Sequence, residues 1–327
     1  MSSHPILSST SPSWARADLE DDPVAAHDSE PLAVAAARSP AHTARVVLRA
    51  CRPRQWSKNV LLLAAPSAAG VIGVGAVQLR VAAAIVVFCM LSSATYLLND
   101  VRDLEQDRLH VRKRRRPIAA GELAPRSALA IAAVLGAGGL LLAALVRLEL
   151  AAVGAAYVAL TASYSIWWRH VIGLDILAVA GCFVVRAVAG GVAAEVPLSR
   201  WFLVVTSCCA LFVVAGKRYA ELIDSGRPGA TRATLRSYSG GALRAVLLAS
   251  TAGAVIAYTI WAVRRPESGP FYELTIVPFV AGLGRYGLLL SRGQGEAPEE
   301  VILHDRILLG LGLLWTVLFL CGIYVGR

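Results

Sequence analysis

Residues 79–107 read LRVAAAIVVFCMLSSATYLLNDVRDLEQD. From Val81 to Leu98 the run carries no charge, and about 20 apolar residues is the length a helix needs to cross ~30 Å of hydrocarbon. At Asn99 the character changes abruptly, and Asp100, Arg102, Asp103, Glu105 and Asp107 follow in quick succession. The stretch predicts a transmembrane helix over 79–98 that ends in an acidic segment at the membrane surface. If the helix continues through that segment, Asp100, Asp103 and Asp107 fall at i, i+3 and i+7 on one face, and Asn99, Asp103 and Asp107 also share a side.

The rest of the chain repeats the pattern. Of 327 residues 56% are hydrophobic and 17% charged, where a soluble domain has about a quarter charged. Apolar stretches fall at 58–76, 79–98, 125–146, 149–168, 173–194, 200–222, 243–264, 272–290 and 305–325. The expected fold class is therefore all-α, a polytopic membrane protein with nine transmembrane helices. The first helix, with Pro66 and several glycines, is expected to be kinked. Residues 1–45, rich in Ser, Pro, Ala and mixed charge, are expected to form a disordered cytoplasmic tail, with no apolar core of signal-peptide type. Residues 46–327 form one membrane domain.

Charge placement orients the bundle. The net charge is +10, concentrated in the connections after the second and sixth helices: Arg102, Arg108 and the run Arg112–Arg116 in one, Lys217, Arg218, Arg227, Arg232 and Arg236 in the other. Arg169 and Arg292 fall on the same side. Basic residues gather on the cytoplasmic face, so the N-terminus is expected inside, the C-terminus outside, and the long loops in the cytoplasm of a plasma-membrane protein. Only the Arg264–Arg265 pair opposes this. No basic stripe interleaved with aromatics suggests nucleic acid. The six cysteines form no CxxC pair and there is no HExxH, which argues against zinc and against disulfides. A homo-oligomer is compatible with the sequence.

Three places carry candidate chemistry. Three carboxylates on one helix face repel one another, and a divalent cation relieves that repulsion. Mg²⁺ suits a few carboxylates and completes its shell with water and phosphate oxygens. The alternative is a solvated acidic helix end balanced by Arg112–Arg116. The second place is GKRYAELID, residues 216–224. There Lys217 and Glu221 at i, i+4 are either a surface ion pair worth ~0.3 kcal/mol or part of a pocket shared with the acidic segment. The third is RPRQWSKN, residues 52–59, read either as an interfacial anchor around Trp56 or as a phosphate-binding cluster using Arg54 and Lys58. Tyr164, Arg169 and Asp175 flank the turn between the fourth and fifth helices. Arg186 lies deep in the fifth helix, where a charge is costly and faces a polar cavity. Asp305 opens the ninth helix as a favourable N-terminal carboxylate. Gly190–Gly191 and Gly310/Gly312 are expected close-packing points between helices.

The segment NDVRDLEQD resembles the NDxxDxxxD signature of the UbiA superfamily of intramembrane prenyltransferases, and a polar segment after the sixth of nine helices matches that family's layout. The resemblance extends from about residue 48 to the end. Family members that prenylate aromatic acceptors carry a second DxxxD, whereas this chain has KRYAELID in its place. Together with RPRQWSKN, YLLNDVRD, RPIAAGEL, VRAVAGGV and PEEVILHDR, it is similar to the branch of the family that moves phosphoribosyl onto decaprenyl phosphate. The resemblance implies phosphoribosyl pyrophosphate as donor, a polyprenyl phosphate in the bilayer as acceptor, Mg²⁺ as cofactor, and a product that serves as a precursor of cell-wall arabinan.

In that reading Asn99, Asp100, Asp103 and Asp107 hold the metal. Lys217, Arg218 and Lys58 are the candidates for phosphate groups, with Glu221 orienting a lysine or a ribose hydroxyl. Arg54, Arg116, Tyr164, Arg186 and Tyr219 complete the expected substrate-binding set. A prenyltransferase with a prenyl diphosphate donor and an aromatic acceptor is the alternative enzyme. A transporter is the alternative of another class, although its ionisable groups would lie nearer the midplane.

Overall fold

A computed structural model describes residues 40–224, 238–264, 270–293, 301 and 304–325. The tail before residue 40, Arg227, Arg232, Arg236 and Arg265 lie outside the described residues. The described residues are helical, with no strand among them. Helix α1 is Pro40–Ala50, followed by a 3₁₀ segment, Pro53–Leu63, and a short α2, Ala64–Ala68. Then come α3 (Gly75–Arg102), α4 (Leu104–Leu109), α5 (Pro125–Val146), α6 (Leu148–Ile166), α7 (Leu174–Ala194) and α8 (Arg200–Asp224). The last are α9 (Gly240–Val263), α10 (Phe271–Leu274), α11 (Ile276–Ser291) and α12 (Arg306–Tyr324).

Eight of the described helices are long and apolar enough to cross a membrane, α10 and α11 counting as one span. The expected first helix, 58–76, differs: it is divided among the end of the 3₁₀ segment, the short α2 and a turn that leads into α3. The 3₁₀ segment nevertheless runs antiparallel to α3 in a regular order. Arg52 pairs with Asp100, Trp56 Nε1 donates to Ser93 Oγ at 3.1 Å, and Asn59 Nδ2 donates to Cys89 Sγ at 3.2 Å. Arg52–Asn59 is thus matched to the longer stretch Cys89–Asp100. A 3₁₀ rise of about 2.0 Å per residue gives ~14 Å, and an α rise of about 1.5 Å gives ~16 Å. The stretched helix covers the ground of a longer α-helix. Farther along, Ala68 joins an aromatic cluster with Trp261, Tyr272 and Phe319, and Gly73 approaches Tyr324 at the far end of α12. The segment thus lies along α3 and reaches α12, but it is not among the eight helices of membrane-crossing length.

Glycine explains why it fits. A Cβ at Gly190 of α7 would sit 1.9 Å from the Leu62 carbonyl oxygen, and one at Gly191 would sit 2.5 Å from Leu198. Close backbone approach is what small residues provide in membrane bundles. Gly310 and Gly312, by contrast, have nothing within 4 Å, so the expected packing role fails there.

Helix α3 is the axis of the first half. It packs on α5, α6, α7 and the 3₁₀ segment, and 56% of its apolar window is buried against 17% for α5 and α12. Phe88, Leu91, Leu62, Leu150 and Tyr157 form the core there. The second half groups α8, α9, α11 and α12, and α7 joins it through α8. Exposed Leu79, Leu145, Leu148, Val277 and Leu313 cover the outside with apolar surface, as lipid contact requires.

Candidate active site at the polar helix ends

Helix α3 ends at Arg102, and Asp103 leaves helical geometry as its cap (φ −91°, ψ 13°) before α4 begins. That turn takes Asp103 out of the expected common face and leaves Asp100 and Asp107 on it. Asp100 and Asp107, both buried, turn toward a common partner: Arg116 Nη1 lies 3.0 Å from Asp100 and 2.6 Å from Asp107. Arg52 also pairs with Asp100, and Lys113 Nζ is 3.8 Å from Asp107. Asp103 points elsewhere, to Arg169 Nη1 at 2.8 Å. Asn99 stays half-buried beside them.

The turn between α6 and α7 links the two polar segments. Arg169 reaches Asp103, while Asp175 in the first turn of α7 accepts from Arg218 Nε of α8 at 3.1 Å. Arg218 Nη1 donates to Glu221 at 3.0 Å. Glu221 is therefore paired at i, i+3 with Arg218 rather than at i, i+4 with Lys217. Lys217 is half-buried and has no ion-pair partner among the described residues. Tyr238 donates to Asp175 and accepts from the Gly173 amide at 2.6 Å. Burial, and then the hydrogen bond to Asp175, push the Tyr238 phenol up to about 12, so it stays a donor through the neutral range.

The remaining candidates separate into two groups. Arg186 is buried in α7, where Nε donates to Asn59 at 2.9 Å, Nη2 to Tyr157 Oη at 2.8 Å and Nη1 to the Cys182 carbonyl at 2.8 Å. Its charge has no carboxylate partner among the described residues, and a cation left so in a bundle interior favours an anion nearby. Lys58 precedes Asn59 on the 3₁₀ segment. Arg54 is exposed, Tyr164 half-buried, and the Tyr219 hydroxyl is held by Arg244 Nε at 2.8 Å. Asp305 caps α12 by accepting from the Leu308 amide at 2.8 Å and pairs with Arg285 at 2.7 Å, which lowers its carboxyl below the usual range. It belongs to the scaffold.

Asn59, Tyr157, Tyr238 and Arg244 were missed in the sequence. Asn59 and Tyr157 stand out only as polar groups at buried positions, which a lone Asn beside Lys58 and a lone Tyr in an apolar helix hint at. Tyr238 lies in a loop with no periodic signal.

The donor set suits a hard divalent cation, being carboxylate and amide oxygen. No group of three or more His, Cys, Asp or Glu converges as a cage among the described residues. Two carboxylates do converge on one cationic nitrogen, that of Arg116, so the acidic segment is built to embrace a positive centre. A cavity of about 390 Å³ opens at the other end of α7, lined by Arg147, Glu149 and Glu195 among others, and contains none of these residues.

The fold is a helical membrane bundle with this site's polar side chains gathered at one end, and residues 60–309 match the UbiA prenyltransferase family. The chain belongs to that family. It is 41% identical over 295 residues to a decaprenyl-phosphate phosphoribosyltransferase of Corynebacterium glutamicum, covering 88% of this chain and 89% of the relative. A protein of the same name from Mycobacterium tuberculosis is 42% identical, covering 84% of this chain and 93% of the relative. Among solved structures, a UbiA homolog from Archaeoglobus fulgidus bound to DMAPP and Mg²⁺ aligns with a TM-score of 0.64 at 18% identity, covering 85% of this chain and 98% of that one. At that identity the likeness speaks for the fold.

Proposed function

We propose that the protein transfers the 5-phosphoribosyl group of phosphoribosyl pyrophosphate to a polyprenyl phosphate, of which decaprenyl phosphate is the expected form, at the cytoplasmic face of the plasma membrane. The observation that carries this reading is the near full-length identity to phosphoribosyltransferases of that lipid. The site agrees, because the second polar segment offers an unpaired Lys217 where a two-metal prenyltransferase would need carboxylates. A phosphate oxygen of the lipid attacks ribose C1, the C1–O bond to pyrophosphate breaks, and pyrophosphate leaves with the bonding pair. The acceptor oxygen is already anionic, so no general base is required.

Asp100 and Asp107, with Asp103 and the Asn99 amide oxygen, would hold a divalent cation, Mg²⁺ in this reading. Such an ion, when bound, supplies positive charge to the departing pyrophosphate. Lys217 binds a phosphate of the donor as a mobile point charge. Arg218 is spent on Asp175 and Glu221 and fixes the floor on which Lys217 stands. Arg186 and Lys58 make the interior positive on the lipid side, where the acceptor phosphate enters between apolar helices. The test is incubation of purified protein with phosphoribosyl pyrophosphate, Mg²⁺ and decaprenyl phosphate. The expected product is decaprenylphosphoryl-5-phosphoribose by mass, with pyrophosphate released in equal amount. A prenylated aromatic product from a prenyl diphosphate, and no phosphoribosylated lipid, would overturn the reading.

A further inference from the structure

Arg52, between α1 and the 3₁₀ segment, has φ 55° and ψ 63°, the left-handed region that L-residues avoid. Pro53 follows, and a residue before proline is biased toward extended backbone. Two local preferences are thus overridden, so the surroundings must impose the turn. Ser93, buried on α3, touches both sides of the turn: it accepts the Trp56 indole N–H at 3.1 Å, and its one hydroxyl proton is shared between the Cys89 carbonyl at 2.7 Å and the Cys51 carbonyl at 3.2 Å. Just upstream, Arg49 forks onto Glu122 at 3.0 and 3.3 Å.

The clamped turn aims one side chain. The Arg52 guanidinium lies over the Tyr96 ring, 5.0 Å from its centre, and pairs with Asp100. Arg116 is shared between Asp100 and Asp107, and lies closer to Asp107, so Arg52 is the guanidinium that serves Asp100 alone. The Arg52 side chain keeps 27% of its surface exposed while that of Asp100 keeps 4%. It is the cation of the pair that has room to move.

We propose that Arg52 is an exchangeable counter-ion. It holds Asp100 while the site lacks a diphosphate, and it passes to a phosphate oxygen when a metal-bound diphosphate arrives, leaving Asp100 to the metal. This rests on the metal–diphosphate reading of the site given above. The exchange keeps a charge-assisted hydrogen bond for the guanidinium in both states, and the clamped backbone confines the movement to the side chain. Arg52 is a positioning residue for Asp100 in the first state and a diphosphate ligand in the second.

The test measures metal binding apart from turnover, by electron paramagnetic resonance of Mn²⁺ with the purified full-length protein, alone and with inorganic pyrophosphate. Arg52→Gly removes the guanidinium while glycine accepts the left-handed turn without strain, and Arg52→Lys keeps a charge there. Without pyrophosphate, R52G is expected to bind Mn²⁺ tighter than wild type by at least about fivefold, the low end of coupling between linked sites, and R52K to resemble wild type. With pyrophosphate the advantage narrows: wild type gains more from pyrophosphate than R52G does. Equal or weaker Mn²⁺ binding by R52G without pyrophosphate overturns the exchange, as does an equal pyrophosphate gain in both. If R52G does not fold, R52K decides alone: it must gain less from pyrophosphate than wild type, having lost the forked donors, and an equal gain overturns the proposal. Wild type that binds no Mn²⁺ even with pyrophosphate overturns the metal–diphosphate reading itself, and the exchange with it.

Discussion

Lys217 and Glu221 show what a helical spacing can and cannot say. Spacings of three and four both place charges within reach, yet only Lys217, at i, i+4, was expected to meet Glu221, and the partner found is Arg218 at i, i+3. Asp175 on the neighbouring helix draws the Arg218 guanidinium inward, where Glu221 completes its coordination. That choice was not legible, because it depends on which face of α7 meets α8. Its consequence is a testable asymmetry. Lys217→Ala is expected to lower kcat/KM for phosphoribosyl pyrophosphate by at least about tenfold, as loss of a charge-assisted phosphate contact does. Glu221→Ala leaves the buried Arg218–Asp175 pair intact and is expected to cost only a few-fold. Steady-state kinetics of the two variants check this, and similar small effects from both would remove Lys217 from the site. The carboxylates differ in the same way. Asp103 is partly exposed and its partner Arg169 is too, so Asp103→Ala is expected to lose about 100-fold or more in kcat, the scale of one removed transition-state contact, with an unchanged melting point. Asp107 is buried against Arg116, so Asp107→Ala is expected to lose activity and to melt lower as well, which thermal denaturation in detergent would reveal.

At the scale of elements, the long helices were readable because a run of apolar residues of bilayer length has one stable solution in lipid, with every backbone group paired inside the helix. The first apolar stretch was readable as irregular, from Pro66 and its glycines, but not as a 3₁₀ segment. Its geometry is set by the tertiary partners Ser93, Cys89 and Gly190. The acidic face was legible in part: Asp100 and Asp107 do meet at Arg116, while Asp103, at the turn between α3 and α4, reaches Arg169 instead, and nothing local in NDVRDLEQD announces that turn. The two glycine motifs make the dependence on partners quantitative. Gly190→Ala would place a methyl group 1.9 Å from the Leu62 carbonyl oxygen, a backbone atom that cannot swing aside, so a shift of the 3₁₀ segment is forced. Overpacking of this kind typically costs about 1–3 kcal/mol. Gly310→Ala meets nothing within 4 Å and replaces glycine by the best helix former. The expected result is a lower melting temperature for Gly190→Ala and an unchanged or higher one for Gly310→Ala, measured in the same detergent. Equal melting of the two would show that α7 and the 3₁₀ segment are not in the close contact described.

For the whole molecule, the number of crossings fixes which side each end occupies. Eight long spans alone return the chain to the side on which α3 begins, so the N-terminal helix shares the side of the acidic site only if the 3₁₀ segment crosses as well. The contacts of that segment are those expected if it does: Arg49 meets Glu122 and Arg52 meets Asp100 at one end, while Gly73 lies near Tyr324 at the other. The distribution of arginine and lysine then predicts that the first end is cytoplasmic. The donor is a multiply charged sugar phosphate that hydrocarbon excludes, so the site has to face the compartment that holds it. Single cysteines at Ala44, Gln106 and Tyr324, all exposed, test the arrangement in a background without the native thiols. A membrane-impermeant maleimide applied to sealed cells is expected to label only Tyr324→Cys. Applied to inverted vesicles, it is expected to label Ala44→Cys and Gln106→Cys. If Ala44→Cys instead behaves like Tyr324→Cys, the 3₁₀ segment does not cross and the bundle has eight spans. If the whole pattern inverts, the nine crossings stand but the acidic site faces outward, away from any cytoplasmic donor, and the phosphoribosyl transfer proposed for it loses its substrate.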